Sequence, residues 1–210
     1  MDGRVKTSLD RVTDDARSRH ISHYFFNFFN KLTARNGVQF HVRLVEWRAI
    51  HLYKELSMTG RDSDVSSSWA IIEENLPGFE RFSRNDNSTK LLASAYGSNI
   101  LETMQCASRY VFGSGLIADL EGEIRNNTCI LTDLLWITSE SINPIGRKRV
   151  DFGNAAIAKF ISSHVHNRFC IQFGLQREEQ ECSQKTSFQK KGANASSIRE
   201  TRTRMESLLN

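Results

Sequence analysis

The sequence predicts an all-α fold, and three observations carry that prediction. Apolar residues recur at spacings of three and four from Ile21 to Leu32. Apolar stripes anchored by tryptophan follow from Trp47 and from Trp69. The pairs Asn36-Gly37 and Pro77-Gly78 then separate the stripes with residues that stop helices. At 210 residues, 39% of them hydrophobic, the chain can bury a core, which excludes a wholly disordered protein. Its 28 basic and 24 acidic residues leave a net charge of +4, which permits a nucleic-acid partner without demanding one.

Taken in order, residues 1–19 are polar and read as a flexible N-terminal arm, with Thr13-Asp14-Asp15 able to cap a short helix. Ile21, Phe25, Phe28, Phe29 and Leu32 share one helical stripe, and Tyr24 and Phe26 widen it. Val38 to Glu46 partly alternates and fits either a strand or an extended linker. Trp47, Ile50, Leu52 and Tyr53 then suit a second helix, and Trp69, Ile71, Ile72 and Leu76 a third. A further helix is expected from Ser88 or Thr89, burying Leu91, Leu92, Ala95, Tyr96 and Ile100. Helices are also expected over 116–126, over Cys129 to Ile142 and over Phe152 to Val165. After Gln176 little remains to bury, so 176–210 reads as a mostly disordered tail with at most a weak surface helix near its end. The expected division is therefore an arm (1–19), a helical domain (20–112), a helical extension (116–175) and the tail (176–210).

The residues that often carry chemistry are sparse. Cys106, Cys129, Cys170 and Cys182 form no C-x-x-C pair, so reduced thiols are expected and no structural zinc site. His20 with His23, and His164 with His166, are close pairs for which no spaced cysteine or acidic partner is evident, so no metal is expected. Asp62, Asp64, Glu73 and Glu74 follow no metal-binding order, and a metal-dependent nuclease is set aside on that ground. No apolar run suits a leader or a membrane span, so neither is expected. The glycosylation-type triplets at Asn87, Asn126 and Asn194 then read as chance matches. No enzyme, no cofactor and no small-molecule substrate are expected.

Three islands carry a family resemblance. They are Phe25-Phe26-x-x-Phe29-x-x-Leu32 with Asn36-Gly37, then Ile50-His51-Leu52-Tyr53, then Val65 and Trp69 with Ile72 and Leu76. In order and approximate spacing they resemble the AT-rich interaction domain (ARID) family, in the style of the ARID subunits of SWI/SNF-type remodelling complexes. Tyr96 and Ile100, after the Asn87 to Lys90 start, are similar to the family's DNA-facing helix. The resemblance implies an ARID-like helical bundle, followed by a second helical segment that would suit an armadillo-type repeat. It implies a nuclear, non-enzymatic protein of chromatin or transcription regulation that binds double-stranded, A·T-rich DNA beside protein subunits of a chromatin complex. DNA would be met by Arg81, Ser83, Arg84, Asn85, Asn87, Ser88, Thr89 and Lys90, by Ser94 and Ser98 on the next helix, and by Arg61 from the other loop. The competing expectation is a helical protein-interaction module of a nuclear complex with little or no DNA binding.

Overall fold

Helix α1 (Leu9–Arg35) contains the aromatic stripe but begins at Leu9, inside the stretch expected to be a flexible arm. Phe25, Phe28, Phe29 and Leu32 are buried on it, with Phe26 and Ser22 beside them. Asn36-Gly37 ends it as expected. The Val38 N–H reaches back 2.9 Å to the Thr33 carbonyl, and Gly37 stands at φ 68°, a conformation open to glycine without penalty. The computed structural model describes residues 9–53, 67–83, 95–113, 115–132, 134–138 and 153–175, together with 203, 204, 206, 207 and 209. Among these, no helix is long and apolar enough to cross a membrane.

Beyond α1 the chain is not all-α. Strands β1 (His41–Leu44), β2 (Trp47–Tyr53), β3 (Ser67–Glu73) and β4 (Glu80–Arg81) lead to helix α2 (Ala95–Phe112). Strands β5 (Gly115–Ala118), β6 (Glu121–Arg125), β7 (Thr128–Thr132) and β8 (Leu135–Thr138) follow, then helices α3 (Gly153–Ser163) and α4 (Arg168–Gln172). One sheet has the order β1-β7-β6-β4, and β2-β3 and β5-β8 form separate two-stranded sheets. The larger sheet draws strands from both sides of the division expected near 112–116.

The segments expected to be helices from Trp47 and Trp69 are strands because each finds the other as an antiparallel partner, a long-range pairing that the local apolar spacing does not show. The two strands pair antiparallel, with Ala49 opposite Ile71 and His51 opposite Trp69. The His51 ring stacks on Trp69 with 4.5 Å between ring centres, and the Arg19 guanidinium lies 5.0 Å over Trp47. Both tryptophans are half-buried, whereas a helical stripe would have sunk them into a core. The expected helices over 116–126 and 129–142 are likewise β5, β6, β7 and β8. Asn126 and Asn127 both have positive φ (50° and 58°), and this two-residue turn joins β6 to β7 as a hairpin. Only Phe152 to Val165, among these later segments, keeps its expected helix, as α3.

The core lies between α1, α2 and the β5-β8 pair. Phe25 meets the Trp136 edge at 6.0 Å, and Trp136 donates its indole N–H to Ser22 Oγ at 2.9 Å. Helix α2 buries Ile100, Leu101, Met104, Ala107 and Val111. Its Ser108 hydroxyl accepts the Ile117 N–H at 3.1 Å, and Gln105 donates to the Ile117 carbonyl at 3.0 Å, which fixes β5 along the helix. Within the tail, Arg204 donates to the Tyr110 carbonyl at 2.9 Å and Leu209 packs on the core.

Two adjacent glutamates fasten the β2-β3 ribbon to the rest. Glu73 pairs with Arg19 of α1 and accepts from Thr132 Oγ1 of β7 at 3.0 Å. Glu74 receives both arms of Arg43 at 2.8 Å each, with Arg125 at 3.5 Å. The hydrogen bonds from Arg43 outweigh desolvation and, with the Glu46 N–H and the two positive charges, pull the Glu74 carboxyl down to about 2. A carboxyl lowered on folding stabilises the fold above its unfolded pKa and loses that contribution as pH falls through the folded one. Glu74→Gln should therefore cost about 1 kcal/mol at pH 7, the pair being partly exposed. The gap from wild type should close as pH falls from 4.5 toward about 2, which urea midpoints at neutral and acid pH would read.

Candidate functional site

The β6-β7 hairpin concentrates buried carboxylates. Asp119, just before β6, and Glu121 and Glu123 within it are each more than nine-tenths buried. A period of two puts Glu121 and Glu123 on one side of the strand. Arg81 of β4 lies across them, its Nε 3.1 Å from Glu121 and 3.5 Å from Asp119. The second oxygen of Glu123 is buried without a hydrogen-bond partner. Burying an ionised carboxylate costs several kcal/mol unless charge is brought to it; Arg81 brings it to Asp119 and Glu121, and Arg125 Nε lies 3.9 Å from Glu123, so three carboxylates share two guanidiniums and a further cation would be accommodated.

Gly122 makes the cluster possible. A Cβ there would stand 1.9 Å from the Ile130 carbonyl oxygen, so only glycine lets β6 and β7 approach this closely. Gly122→Ala should cost about 3 kcal/mol, read as a drop in the urea midpoint, because backbone must give way rather than a side chain.

A second cluster joins α2 to the α3-α4 turn. Cys106, His164, His166 and Cys170 bring one ligand atom each to within 4.8 Å of one another. Cys170 Sγ lies 3.5 Å from His164 Nε2. Asn167 sets this geometry: its side-chain oxygen caps α4 by accepting the Phe169 and Cys170 N–H groups at 2.9 and 3.2 Å. Its amide donates to the Asn99 carbonyl at 2.8 Å, and the Thr103 hydroxyl lies 2.9 Å from its oxygen, so α4 is tied to α2. Hydrogen bonding from Cys106 first, and then from His164, Thr103 and His166, draws the Cys170 thiol down against desolvation. Two thiolate sulfurs and two imidazoles at these separations fit a tetrahedral zinc ion, and all four positions are filled by protein, the pattern of a structural site. Cys129, by contrast, is fully buried and pushed up by desolvation, an inert core thiol. Cys106 and Cys170 are thus the spaced thiol partners for His164 and His166 that the sequence spacing had not revealed.

Of the residues expected to meet DNA, Arg81, Ser83 and Ser98 are described. Arg81, half-exposed, is engaged by Asp119 and Glu121. Ser83 is buried, and its Oγ accepts the Leu120 N–H at 2.8 Å. Ser98 is half-buried on α2. Arg61, Arg84, Asn85, Asn87, Ser88, Thr89, Lys90 and Ser94 lie outside the described residues. Of the acidic residues weighed for a nuclease, Glu73 and Glu74 are engaged in the ribbon clamp. Asp62 and Asp64 lie outside the described residues, as does Asp133, which follows Thr132. Leu116, Ile117, Leu120 and Ile124 recur at helical spacing, which hides the hairpin carboxylates within an expected helix. The signal that finds them is Asn126-Asn127, a turn-favouring pair directly before the strand-forming run Thr128–Thr132.

The fold and the chain both have known counterparts. The structure matches an alpha kinase from Entamoeba histolytica at TM-score 0.63 and 18% identity, over 81% of this chain and 65% of that one. It matches the alpha-kinase domain of myosin heavy chain kinase A in complex with AMP at TM-score 0.58 and 17% identity, over 79% and 60%. It also matches an inactive aspartate-to-alanine form of that domain in complex with ATP, at TM-score 0.56 and 16% identity, over 80% and 61%. The chain thus spans under two thirds of the length of these structures. No curated protein sequence matches it. These findings overturn the ARID resemblance and, with it, the non-enzymatic DNA-binding and chromatin role, the DNA partner and the exclusion of an enzyme and of small molecules. An aromatic stripe with tryptophan anchors is the common property of packed cores, and here it belongs to a mixed α/β one. The alpha-kinase family model matches residues 1–170, and the chain belongs to the alpha-kinase family.

Proposed function

We propose that this chain is an alpha-kinase-type phosphotransferase, moving the terminal phosphoryl group of ATP to a hydroxyl group of a protein. The family match over residues 1–170 carries this reading. The buried carboxylates of the β6-β7 hairpin support it. Phosphoryl transfer asks a protein mainly for positioning and charge neutralisation. A divalent cation bound with the nucleotide would supply the neutralising charge, with Asp119 and Glu121 as the oxygen donors this chain offers it. Arg81 holds those two carboxylates side by side, and Gly122 keeps the hairpin closed beneath them. The buried, unpartnered oxygen of Glu123 adds negative charge on the same strand. Cys106, His164, His166 and Cys170 are proposed to hold a structural zinc ion that locks α4 onto α2.

The test is transfer of label from ATP carrying a labelled γ-phosphate, in Mg2+, to a serine- and threonine-rich protein substrate. Acid-stable label on substrate hydroxyls is expected. Folded, metal-loaded chain that transfers none would overturn the reading.

A further inference from the structure

Cys106 and Cys170 sit on different helices, α2 and α4, yet their sulfurs belong to a cluster spanning no more than 4.8 Å. Forming a disulfide requires the sulfurs to close to about 2 Å, and the Cys106 and Cys170 side chains already hydrogen-bond one another. Both sulfur donors of the four-residue set are in this pair, and the other two donors are imidazoles. The thiol of Cys129 is fully buried within β7 and outside the set. We infer that Cys106 and Cys170 form a peroxide-responsive thiol pair that exchanges the bound metal for a disulfide between α2 and α4. The inference rests on the proposed metal binding by these four residues.

The chemistry balances with a hydroperoxide as oxidant. Cys106 is the more accessible of the two residues, 7% exposed where Cys170 is fully buried, and is taken as the first to react. Its thiolate attacks one peroxide oxygen and becomes a sulfenic acid, releasing hydroxide. The Cys170 thiolate then attacks that sulfur, forming the S–S bond and releasing a second hydroxide. The two sulfurs lose two electrons together and the peroxide gains them. Two imidazoles alone are too few donors for zinc, so the ion leaves. Thr103 and Asn167 continue to tie α4 to α2, which keeps the sulfurs adjacent and allows reduction and reloading.

The experiment uses the full chain, with metal measured by atomic emission before hydrogen peroxide is added. Released zinc is followed with a chromogenic chelator, and linked peptides are mapped by non-reducing mass spectrometry. One zinc released per disulfide, a Cys106–Cys170 linked peptide, and recovery with dithiothreitol plus zinc are expected. Cys106→His retains four donors and removes the partner thiol, so its zinc should leave at least about tenfold more slowly. Zinc loss with both thiols ending as sulfinic acids, a link to another cysteine, or wild-type release from Cys106→His would each overturn the inference. The wild-type peptide map decides the pairing even if the variant does not fold. A chain that binds no metal yet forms the disulfide would overturn the metal reading and leave the thiol pair standing.

Discussion

Replacing Cys170 by alanine is expected to abolish zinc binding and lower the thermal midpoint by about 10 °C. Without the metal, α4 has little to keep it in place. It is a helix of five residues, too short to persist alone, and it is held by the Asn167 cap, by Phe169 and by the four-donor cluster. A structural zinc ion contributes its binding energy to folding outright, up to about 10–16 kcal/mol where nothing else holds the fold. Here α2 and the sheets remain packed without it, so a loss of about 3–5 kcal/mol is the scale, and each kcal/mol moves the midpoint by about 2–4 °C in a chain of this size. Cys129→Ser is the control: it removes a buried thiol outside the cluster, so zinc content should not change. Metal content by atomic emission and melting by circular dichroism read both variants. A Cys170→Ala protein that keeps stoichiometric zinc would remove this cluster from the account.

The second large effect is on chemistry rather than stability. Asp119→Asn should reduce phosphoryl transfer by about 100-fold, or about 2.7 kcal/mol in the barrier, while moving the melting midpoint little. The substitution keeps size and shape and removes one negative charge. The ion pair it breaks, with Arg81, lies at a half-exposed guanidinium and contributes about 1 kcal/mol at most. Glu121→Gln breaks the shorter contact to the same guanidinium and should show the same direction. A structural role for Asp119 would show the opposite pattern, with stability lost and the rate per folded molecule preserved. Kinetics normalised to zinc-loaded, folded protein separate the two.

Much of α1 was legible in the sequence because a helix declares itself by apolar spacing and by its stop, and Ile21 to Gly37 has both. The strands were not, because tryptophan followed by isoleucine three positions later fits a helical stripe and a two-sided ribbon equally well. Trp47-Arg48-Ala49-Ile50 is such a case, and only the pairing with Ser67–Glu73 decides it. The β6-β7 hairpin did carry a local signal in Asn126-Asn127, whose side chains tolerate the positive φ that a tight turn requires. Read as a turn, it places Glu121 and Glu123 on one face of a strand, where Arg81 and Arg125 meet them. The metal cluster was half visible: His164-x-His166-x-x-x-Cys170 is a compact run of three donors. The fourth, Cys106, is distant in sequence and is brought in only when α2 packs on α4. Non-local contacts of this kind leave no periodicity to read.

Asp119 and Glu121 are proposed to receive the cation of a bound nucleotide. Calorimetric titration of ATP with Mg2+ into the folded, zinc-loaded chain reads this, beside the Asp119→Asn/Glu121→Gln double variant. Saturable binding that depends on Mg2+ and weakens at least about tenfold, or 1.4 kcal/mol, in the double variant is the predicted result. Binding of equal strength in both proteins, or no binding in the wild type, would contradict it.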